Sequence, residues 1–294
     1  MPREPSALDT VLAGAAAGSA SVVVCHPLDV IRTRVQTSLH RTTFDTVAAM
    51  MKEGGASLFY RGFAAPFFAQ GLYKSVIFST NTVVNKHLFD DKSDFARQLN
   101  PHFKVFLSGC IAGTASSVLV SPIEQIRTQQ ITMAAGSAGG VWDRVALITD
   151  GGRRVPRLWR SLLPTVLRDA PGVGLYLLTF AAVKDVIGSR SAAVQPHHLS
   201  LHERLAAGSL SGVAFWLWGF PIDTVKTRIE SSEAAGSKST QMSRLLSTTW
   251  SLYRAGGGVR VFYRGLPVAL LRGVPAAAVT LACYDSVLEL LSSS

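Results

Sequence analysis

Long stretches without any charged residue alternate along this chain with short polar segments. Three of the uncharged stretches run for 18 or 19 residues, and they are Thr10–Leu28, Val105–Ile123 and Leu205–Ile222. A helix needs about 20 mostly apolar residues to cross a bilayer. The stretches are rich in glycine, alanine and serine, the small residues that let membrane helices pack closely. The pattern therefore predicts three membrane-spanning helices.

Three further apolar segments lie between these stretches, and each is interrupted by charge. They are Gly62–Lys86 with Lys74, Leu162–Lys184 with Arg168 and Asp169, and Leu266–Leu291 with Arg272. Together the segments predict six spans, an even number that places both termini on the same side. The alternative is a soluble protein with a buried helical core, but soluble helices seldom run 18 residues without a charge on their wet face.

The charged residues are few and unevenly distributed. Only 16% of the 294 residues are charged, and the formal net charge is +10, whereas soluble domains carry about 25% charged residues. Eighteen of the 29 lysines and arginines lie in or beside the alternate loops at residues 29–61, 124–160 and 223–264. Such asymmetry is typical of membrane proteins with positive loops inside. A nucleic-acid-binding protein would not need the long uncharged runs.

The chain also contains one sequence unit three times. Each unit has a proline, then an acid after two residues and a base after three more. These triplets are Pro27, Asp29 and Arg32; Pro122, Glu124 and Arg127; and Pro221, Asp223 and Lys226. A GxxxG pair begins 13 residues before each proline. We place repeats at 7–90, 101–188 and 199–291 of a single domain spanning 1–294, since a fixed period indicates tandem structural units.

Each basic loop carries two more recurring features. The first is a short amphipathic segment, at Phe44–Lys52, Trp142–Ile148 and Met242–Tyr253. These segments are too polar to span, so we predict surface helices along the basic face. The second is an aromatic–Arg pair before the next span. The pairs, with the residue that follows, are Tyr60-Arg61-Gly62, Trp159-Arg160-Ser161 and Tyr263-Arg264-Gly265.

The three proline–acid–base motifs, each followed by an aromatic–Arg pair, resemble the mitochondrial carrier family. The resemblance covers nearly the whole chain. It implies an all-α membrane protein in which six tilted transmembrane helices form a threefold pseudo-symmetric barrel, with three short helices on the matrix side. It also implies the mitochondrial inner membrane, with both termini toward the intermembrane space. The sequence alone leaves another organelle, such as the peroxisome, open.

By this resemblance the motif charges form a gate on the matrix side. The implied pairs are Asp29 with Arg127, Glu124 with Lys226, and Asp223 with Arg32. Gln36 resembles the family's glutamine brace beneath such a pair. The equivalent residues are Ile131 and Glu230, so we expect at most one brace. The alternative is an ordinary cluster of interfacial charges. On the opposite face the family carries a second charge network, of which only Lys184 and Asp285 remain, so we expect no ordinary ring of ion pairs there.

Charges in the middle of spans are costly and usually functional. The residues eight positions after each arginine of the aromatic–Arg pairs are Ala69, Arg168 and Arg272. The family's substrate contact points fall at these positions. Asp169 follows Arg168, and an Arg–Asp pair offers a cation to a carboxylate and an anion to an ammonium. Lys74 lies five residues after Ala69 in the sequence.

Trp216 resembles a tryptophan of acylcarnitine and ornithine carriers. It either stacks on a cationic group or simply packs at the depth of the bilayer. The Arg–acid pair resembles carriers of amino acids and carnitine-like zwitterions, so we predict alternating-access transport of such a solute, by exchange. Lys74 makes the predicted site more positive, which favours the alternative of a keto acid or other carboxylate, unless it only neutralises Asp169. A non-transporting scaffold derived from a carrier is a further alternative.

The aromatic–Arg motifs resemble the cardiolipin sites of the family, where helix N-termini and arginine meet lipid phosphate. Trp159-Arg160-Ser161 departs from the pattern because it lacks the glycine. The alternative is simple interfacial anchoring by the aromatic and arginine side chains. No nucleophile–base or metal-ligand cluster stands out, so we expect no enzyme activity, no metal and no cofactor. We also expect no nucleic-acid partner, and a monomer.

Overall fold

The computed structural model describes residues 7–38, 42–89, 98–132, 140–190, 200–232, 240–255 and 258–293. These residues form helices, turns and short connections, and no strand occurs among them. The α-helices are α1 Ala7–Thr37, α2 Thr43–Gly54, α3 Ala64–His87, α4 Pro101–Thr132, α5 Val141–Thr149, α6 Leu162–Arg190, α7 Leu201–Ser231, α8 Gln241–Ala255, α9 Leu266–Leu271 and α10 Gly273–Ser293. Three 3₁₀-helices, Gly55–Tyr60, Val155–Trp159 and Gly258–Tyr263, precede α3, α6 and α9.

The long helices form a closed ring. Helix α1 packs against α3, α3 against α4, α4 against α6, and α6 against α7. The α9–α10 pair then packs against both α7 and α1 and completes the ring. Within the described ranges, four helical stretches are long and apolar enough to cross a membrane, namely Leu12–Thr37, Pro101–Thr132, Val155–Ile187 and Leu205–Ser231. The all-helical fold class predicted from the charge-free stretches is confirmed.

The predicted surface segments are also helical. The short helices α2, α5 and α8 follow the C-terminal ends of α1, α4 and α7, which are the first, third and fifth spans. All three therefore lie at the same end of the bundle. Their exposed faces carry large apolar side chains, among them Phe44, Trp142 and Trp250. Such amphipathic helices suit the boundary between water and lipid.

The GxxxG motifs do not all pack alike. A Cβ added to Gly113 would overlap the carbonyl group of Asp169, and one added to Gly109 would lie 2.7 Å from the Cα atom of Gly174. Backbone contact between α4 and α6 therefore depends on these glycines. At Gly14 and Gly212, by contrast, nothing lies within 4 Å of the added atom. The close approach predicted from the motif is thus found at α4 but not at those two positions.

Two of the aromatic–Arg motifs end in a left-handed turn. Gly62 has φ of +74° and Gly265 has φ of +86°, a conformation in which glycine avoids the steric cost of a Cβ. The third motif has Ser161 at this position, and its buried side chain is used differently, in a hydrogen bond to Glu230. The missing glycine in repeat two therefore coincides with a new polar contact.

Candidate solute cavity and gate

The helices α1, α3, α4, α6 and α7, together with Arg272 at the end of α9, line one central cavity of about 250 Å³. Among the described residues, its lining includes five basic and five acidic side chains. The basic ones are Arg32, Arg127, Arg168, Lys226 and Arg272, and the acidic ones are Asp29, Glu124, Asp169, Asp223 and Glu230. The described lining is therefore balanced in formal charge. A balanced cavity avoids the large cost of burying an uncompensated charge.

Three ion pairs join the helices α1, α4 and α7 to one another at the end of the bundle that carries α2, α5 and α8. Arg127 Nη2 lies 2.9 Å from Asp29 Oδ2 and links α4 to α1. Arg32 pairs with Asp223, which links α1 to α7, and Lys226 pairs with Glu124, which links α7 to α4. The structure thus brings together the same three pairs that the family resemblance implies, and they form a closed triangle.

Each pair has a further polar partner. Gln36 Nε2 donates to Asp223 Oδ2 over 2.8 Å, which is the contact expected of a brace. Arg272 Nη1 lies 3.1 Å from Asp29 Oδ1. Glu230 Oε1 lies 3.5 Å from Lys226 Nζ. The equivalent residue of repeat two, Ile131, instead belongs to an apolar cluster with Val30, Met50 and Leu58.

Arg168 occupies the centre of the charge network. Its Nε donates to Asp169 Oδ1 over 2.7 Å, and its Nη1 donates to Asp223 Oδ1 over 2.6 Å. Its Nη2 donates to Glu124 Oε2 over 2.9 Å. One guanidinium thereby holds three carboxylates, which its planar fork of five N–H groups permits. The arginine predicted to bind solute is therefore already bound by two acids of the gate.

The remaining residues predicted to bind solute are distributed as follows. Ala69 and Trp216 line the cavity together with Arg168, Asp169 and Arg272. The side chain of Lys74 lies outside the described part of the structure. The guanidinium carbon of Arg32 lies 4.2 Å from the centroid of the Trp216 ring. Trp216 is therefore in contact with a cation, although that cation comes from the protein itself.

Glu230 was missed by the sequence analysis as a member of the cavity. Its buried carboxylate accepts hydrogen bonds from Thr128 Oγ1 at 2.7 Å and from Ser161 Oγ at 2.8 Å. An acid one helical turn after Lys226, within a span, was the available signal. Tyr73 was also missed, and it lines the cavity from α3.

The three aromatic–Arg motifs lie immediately before α3, α6 and α9, and the one in repeat two is engaged by protein groups. Arg160 Nη2 donates to the carbonyl of Ser232 over 2.9 Å at the C-terminal end of α7. Gln241 Oε1 accepts from the backbone N–H of Leu163 over 2.8 Å, and its Nε2 donates to the carbonyl of Trp159 over 3.1 Å. In repeat one, His26 Nε2 contacts the carbonyl of Arg61 over 3.0 Å.

At the opposite end of the bundle, polar contacts join neighbouring helices. Ser108 on α4 donates to Asn81 on α3, and His102 on α4 lies 3.6 Å from Asp185 on α6. Lys184 is exposed, and the side chain of Asp285 lies outside the described part of the chain.

Comparison with known proteins identifies the family. The family model described as mitochondrial carrier protein matches residues 3–92, 99–191 and 197–294. The mitochondrial glycine transporter of Saccharomyces cerevisiae is 28% identical, over 96% of this chain and 91% of that protein. The mitochondrial basic amino acids transporter of Homo sapiens is 31% identical, over 94% and 88%. The mitochondrial carnitine carrier of S. cerevisiae is 27% identical, over 93% and 84%. This chain therefore belongs to the mitochondrial carrier family, whose members are multi-pass transporters of the mitochondrial inner membrane.

Proposed function

We propose that this carrier moves an amino-acid-like or carnitine-like zwitterion across the inner membrane by alternating access and exchange. The observation that carries the proposal is the central cavity, whose described lining includes Arg168 and Arg272 and has equal numbers of acidic and basic side chains. The relatives are named for glycine, basic amino acids and carnitine. All these solutes combine a carboxylate with a cationic nitrogen, and a cavity of balanced charge suits such a solute. The cavity volume of about 250 Å³ lies just below the range of roughly 300–1,000 Å³ for ligand pockets, which suits a small solute.

The carboxylate of the solute would bind Arg168 and Arg272. Both arginines are held by acids of the gate, Arg168 by Asp223 and Glu124, and Arg272 by Asp29. A solute carboxylate would replace those acids and weaken the network that closes the matrix end. A ligand shifts a conformational equilibrium only as far as it binds the two states differently. Replacement of the gate carboxylates by the solute carboxylate on these two arginines would supply such a difference in affinity between the two states.

The carrier of keto acids or other carboxylates is the second candidate, and one observation favours it. Arg168 donates to both oxygens of Asp169, at 2.7 and 3.2 Å, and Asp169 is only 1% exposed. An aspartate so engaged serves to hold the arginine, and it leaves the ammonium of an amino acid to be bound elsewhere. The complete set of six gate charges supports a working transporter over a scaffold.

Uptake into liposomes by wild type and Asp169→Asn distinguishes the two candidates. Glycine and glutamate are each compared with the 2-oxo acid that lacks the amino group. A charge-assisted contact contributes roughly 1.5–3 kcal/mol, so apparent affinity for the amino acids should fall about ten- to a hundredfold. The 2-oxo acids should lose much less. Arg168→Gln, the matched control, should impair both classes. Equal losses for both classes in Asp169→Asn would contradict the amino-acid role of Asp169 and place the carboxylate carrier ahead.

For the lipid, we propose that cardiolipin binds at Tyr60-Arg61-Gly62 and at Tyr263-Arg264-Gly265. Helices α3 and α9 begin directly after these motifs, and helix N-termini with arginine attract phosphate. The motif of repeat two, which lacks the glycine of the other two, would bind it less well. The basic loops would face the matrix and both termini the intermembrane space. Because one chain supplies the whole cavity and gate, a monomer suffices. Native mass spectrometry with cardiolipin tests both the lipid count and the oligomeric state.

A further inference from the structure

One acid of the cavity is held mainly by hydroxyl groups. Glu230 is buried on α7 and borders the cavity. Its Oε2 accepts from Thr128 Oγ1 over 2.7 Å, and its Oε1 accepts from Ser161 Oγ over 2.8 Å. Its partner of opposite charge is Lys226, whose Nζ lies 3.5 Å from Oε1 and also pairs with Glu124. Two carboxylates therefore share one lysine.

The other acids of the cavity are paired more closely with cations. Each has an arginine nitrogen at 2.9 Å or less, and these acids are Asp29, Glu124, Asp169 and Asp223. Within the described part of the chain, Glu230 has no arginine at ion-pair distance, and its lysine is shared. Because a close opposite charge favours the ionised form of an acid, these contacts stabilise the charge of Glu230 least.

The hydroxyl groups around Glu230 can serve it with or without a proton. A hydroxyl can donate one hydrogen bond and also accept, so Ser161 can donate to the carboxylate or accept from the protonated acid. Ser121 Oγ lies 3.4 Å from Ser161 Oγ, and either atom could be the donor. The direction of donation can therefore reverse along this row. Gln36, the equivalent residue of repeat one, instead donates to Asp223 through an amide, which does not titrate.

Charged groups act on Glu230 from its own helix, from α4 and from the region of α6. They are Lys226 on α7, Glu124 on α4 through that lysine, Asp169 on α6, and Arg160 just before α6. At one remove, Arg32 of α1 acts on Lys226, and Arg244 of α8 acts on Arg160. None of these groups is a histidine. Because lysine and arginine ordinarily carry their protons near neutral pH, a proton taken up by this cluster goes to a carboxylate.

The charge balance of the cavity gives such a proton a role. The described lining sets five acidic side chains against five basic ones. A zwitterion such as glycine adds no net charge, whereas glutamate adds one negative charge. An uncompensated buried charge is costly, and a buried group neutralises instead. Protonation of one acid therefore restores the balance when an anionic amino acid enters.

We propose that Glu230 is a proton site, and that the carrier moves one proton with each amino acid that has a net negative charge. Glu230 takes the proton from water on the side to which the cavity is open and releases it to water on the other side. When glutamate is exchanged for glycine, the proton and glutamate cross together, and no net charge crosses the membrane. The inference rests on the proposed function, because it requires exchange of amino acids.

Liposomes that contain the purified full-length carrier, glycine and a pH-sensitive dye test this coupling. When glutamate is added outside, the interior should gain about one proton per glutamate, and an imposed potassium diffusion potential should leave the rate unchanged. Lowering the external pH by about one unit should raise glutamate uptake by at most about tenfold, because proton occupancy rises with proton concentration. Exchange of glycine for glycine is the matched control, and it should move no net proton.

Variants assign the proton to its residue. The amide of Glu230→Gln resembles the protonated acid but carries no proton. This variant should still exchange glutamate for glycine, without acidification of the interior and at a rate that the membrane potential changes. Glu230→Asp keeps a carboxylate and should retain about one proton per glutamate. Thr128→Ala removes a hydroxyl that can serve both forms of Glu230, so it should leave the proton ratio unchanged.

The outcomes separate this inference from the proposed function. Exchange of glutamate for glycine by the wild type without acidification, or refusal of glutamate at every pH while glycine exchange persists, would overturn the inference alone. Full acidification by Glu230→Gln would do the same, because the proton would then bind elsewhere. The wild-type measurements decide without any variant. Uptake of neither amino acid by the wild type would overturn the proposed function and this inference with it.

Discussion

Arg168 Nη1 donates to Asp223 Oδ1 over 2.6 Å and thereby joins the predicted solute site on α6 to the predicted gate on α7. The other oxygen of the same carboxylate pairs with Arg32 and accepts from Gln36. Asp223 is thus shared between a residue that would bind solute and a residue that closes the gate. In this conformation the two parts of the carrier form a single network of buried charges.

Arg168→Lys should lower both transport and stability. A lysine keeps the charge, but its single ammonium cannot hold Asp169, Asp223 and Glu124 in the forked geometry of a guanidinium. Losing two charge-assisted hydrogen bonds, at about 1.5 kcal/mol each, predicts a loss of uptake of about a hundredfold. For Tm, Arg272→Lys is the control, since Arg272 is seen to pair with a single acid, Asp29. Similar losses of Tm for both variants would contradict the central role of Arg168 in the charge network.

Charge reversal at Asp29 and Arg127 should show whether their ion pair acts in the gate. Asp29→Arg places a new cation beside Arg127 and Arg272 and should abolish exchange in liposomes. Adding Arg127→Asp should restore exchange in part, because the ion pair is rebuilt in the opposite sense. The rescue should stay incomplete, since Arg272 then faces a cation where it had Asp29. A double variant no more active than either single variant would show that the Asp29–Arg127 pair does not act in the gate.

Glu230→Gln should destabilise the solute-free carrier and change its selectivity. The substitution leaves Lys226 with Glu124 and adds one positive charge to the cavity. The amide of glutamine keeps only one of the two acceptor oxygens that Thr128 and Ser161 use, and it carries no charge to balance Lys226. Disrupting a buried hydrogen-bonded charge in this way costs roughly 1–3 kcal/mol, which thermal unfolding should detect as a lower Tm. Uptake of glutamate relative to glycine should rise, because the second carboxylate of glutamate compensates the added charge. Thr128→Ala, which removes one neutral donor to Glu230, should lower Tm less and leave the uptake ratio unchanged. An unaltered ratio in Glu230→Gln would show that the cavity does not sense this charge.

Gly113→Ala should impair the carrier, whereas Gly212→Ala should not. The methyl group at Gly113 would overlap the carbonyl group of Asp169, whereas at Gly212 nothing lies within 4 Å. Overpacking of this kind costs typically 1–3 kcal/mol, and here it would also displace the backbone that carries Arg168 and Asp169. Uptake and Tm of the two variants give the comparison. Equal tolerance at both positions would mean that α4 and α6 can separate without consequence.

Much of the architecture follows from local and periodic features of the sequence. The absence of charge over 18 or 19 residues predicts spans, because a bilayer rejects charge along the whole length of a helix. The threefold register of Pro27, Pro122 and Pro221 places the motif acids and bases at one depth, and the family resemblance implies which acid pairs with which base. Glu230 stands in register with Gln36 and Ile131 but differs from both in chemistry, so the repeat does not predict its bonds to Thr128 and Ser161.

The tertiary structure alone decided which charges share partners and which glycines are in contact. The bonds from Arg168 to Asp223 and Glu124 depend on how α4, α6 and α7 are placed relative to one another, and on the reach of one long side chain. Repeat one has Ala69 at the equivalent position and so signals neither bond, whereas Arg272 of repeat three pairs with Asp29 in the way that Arg168 pairs with Asp223. Likewise Gly113 and Gly212 occupy the same place in the same motif, yet only Gly113 meets a neighbouring backbone. Local sequence sets which helices form, whereas the distance between two helices depends on all the side chains packed between them.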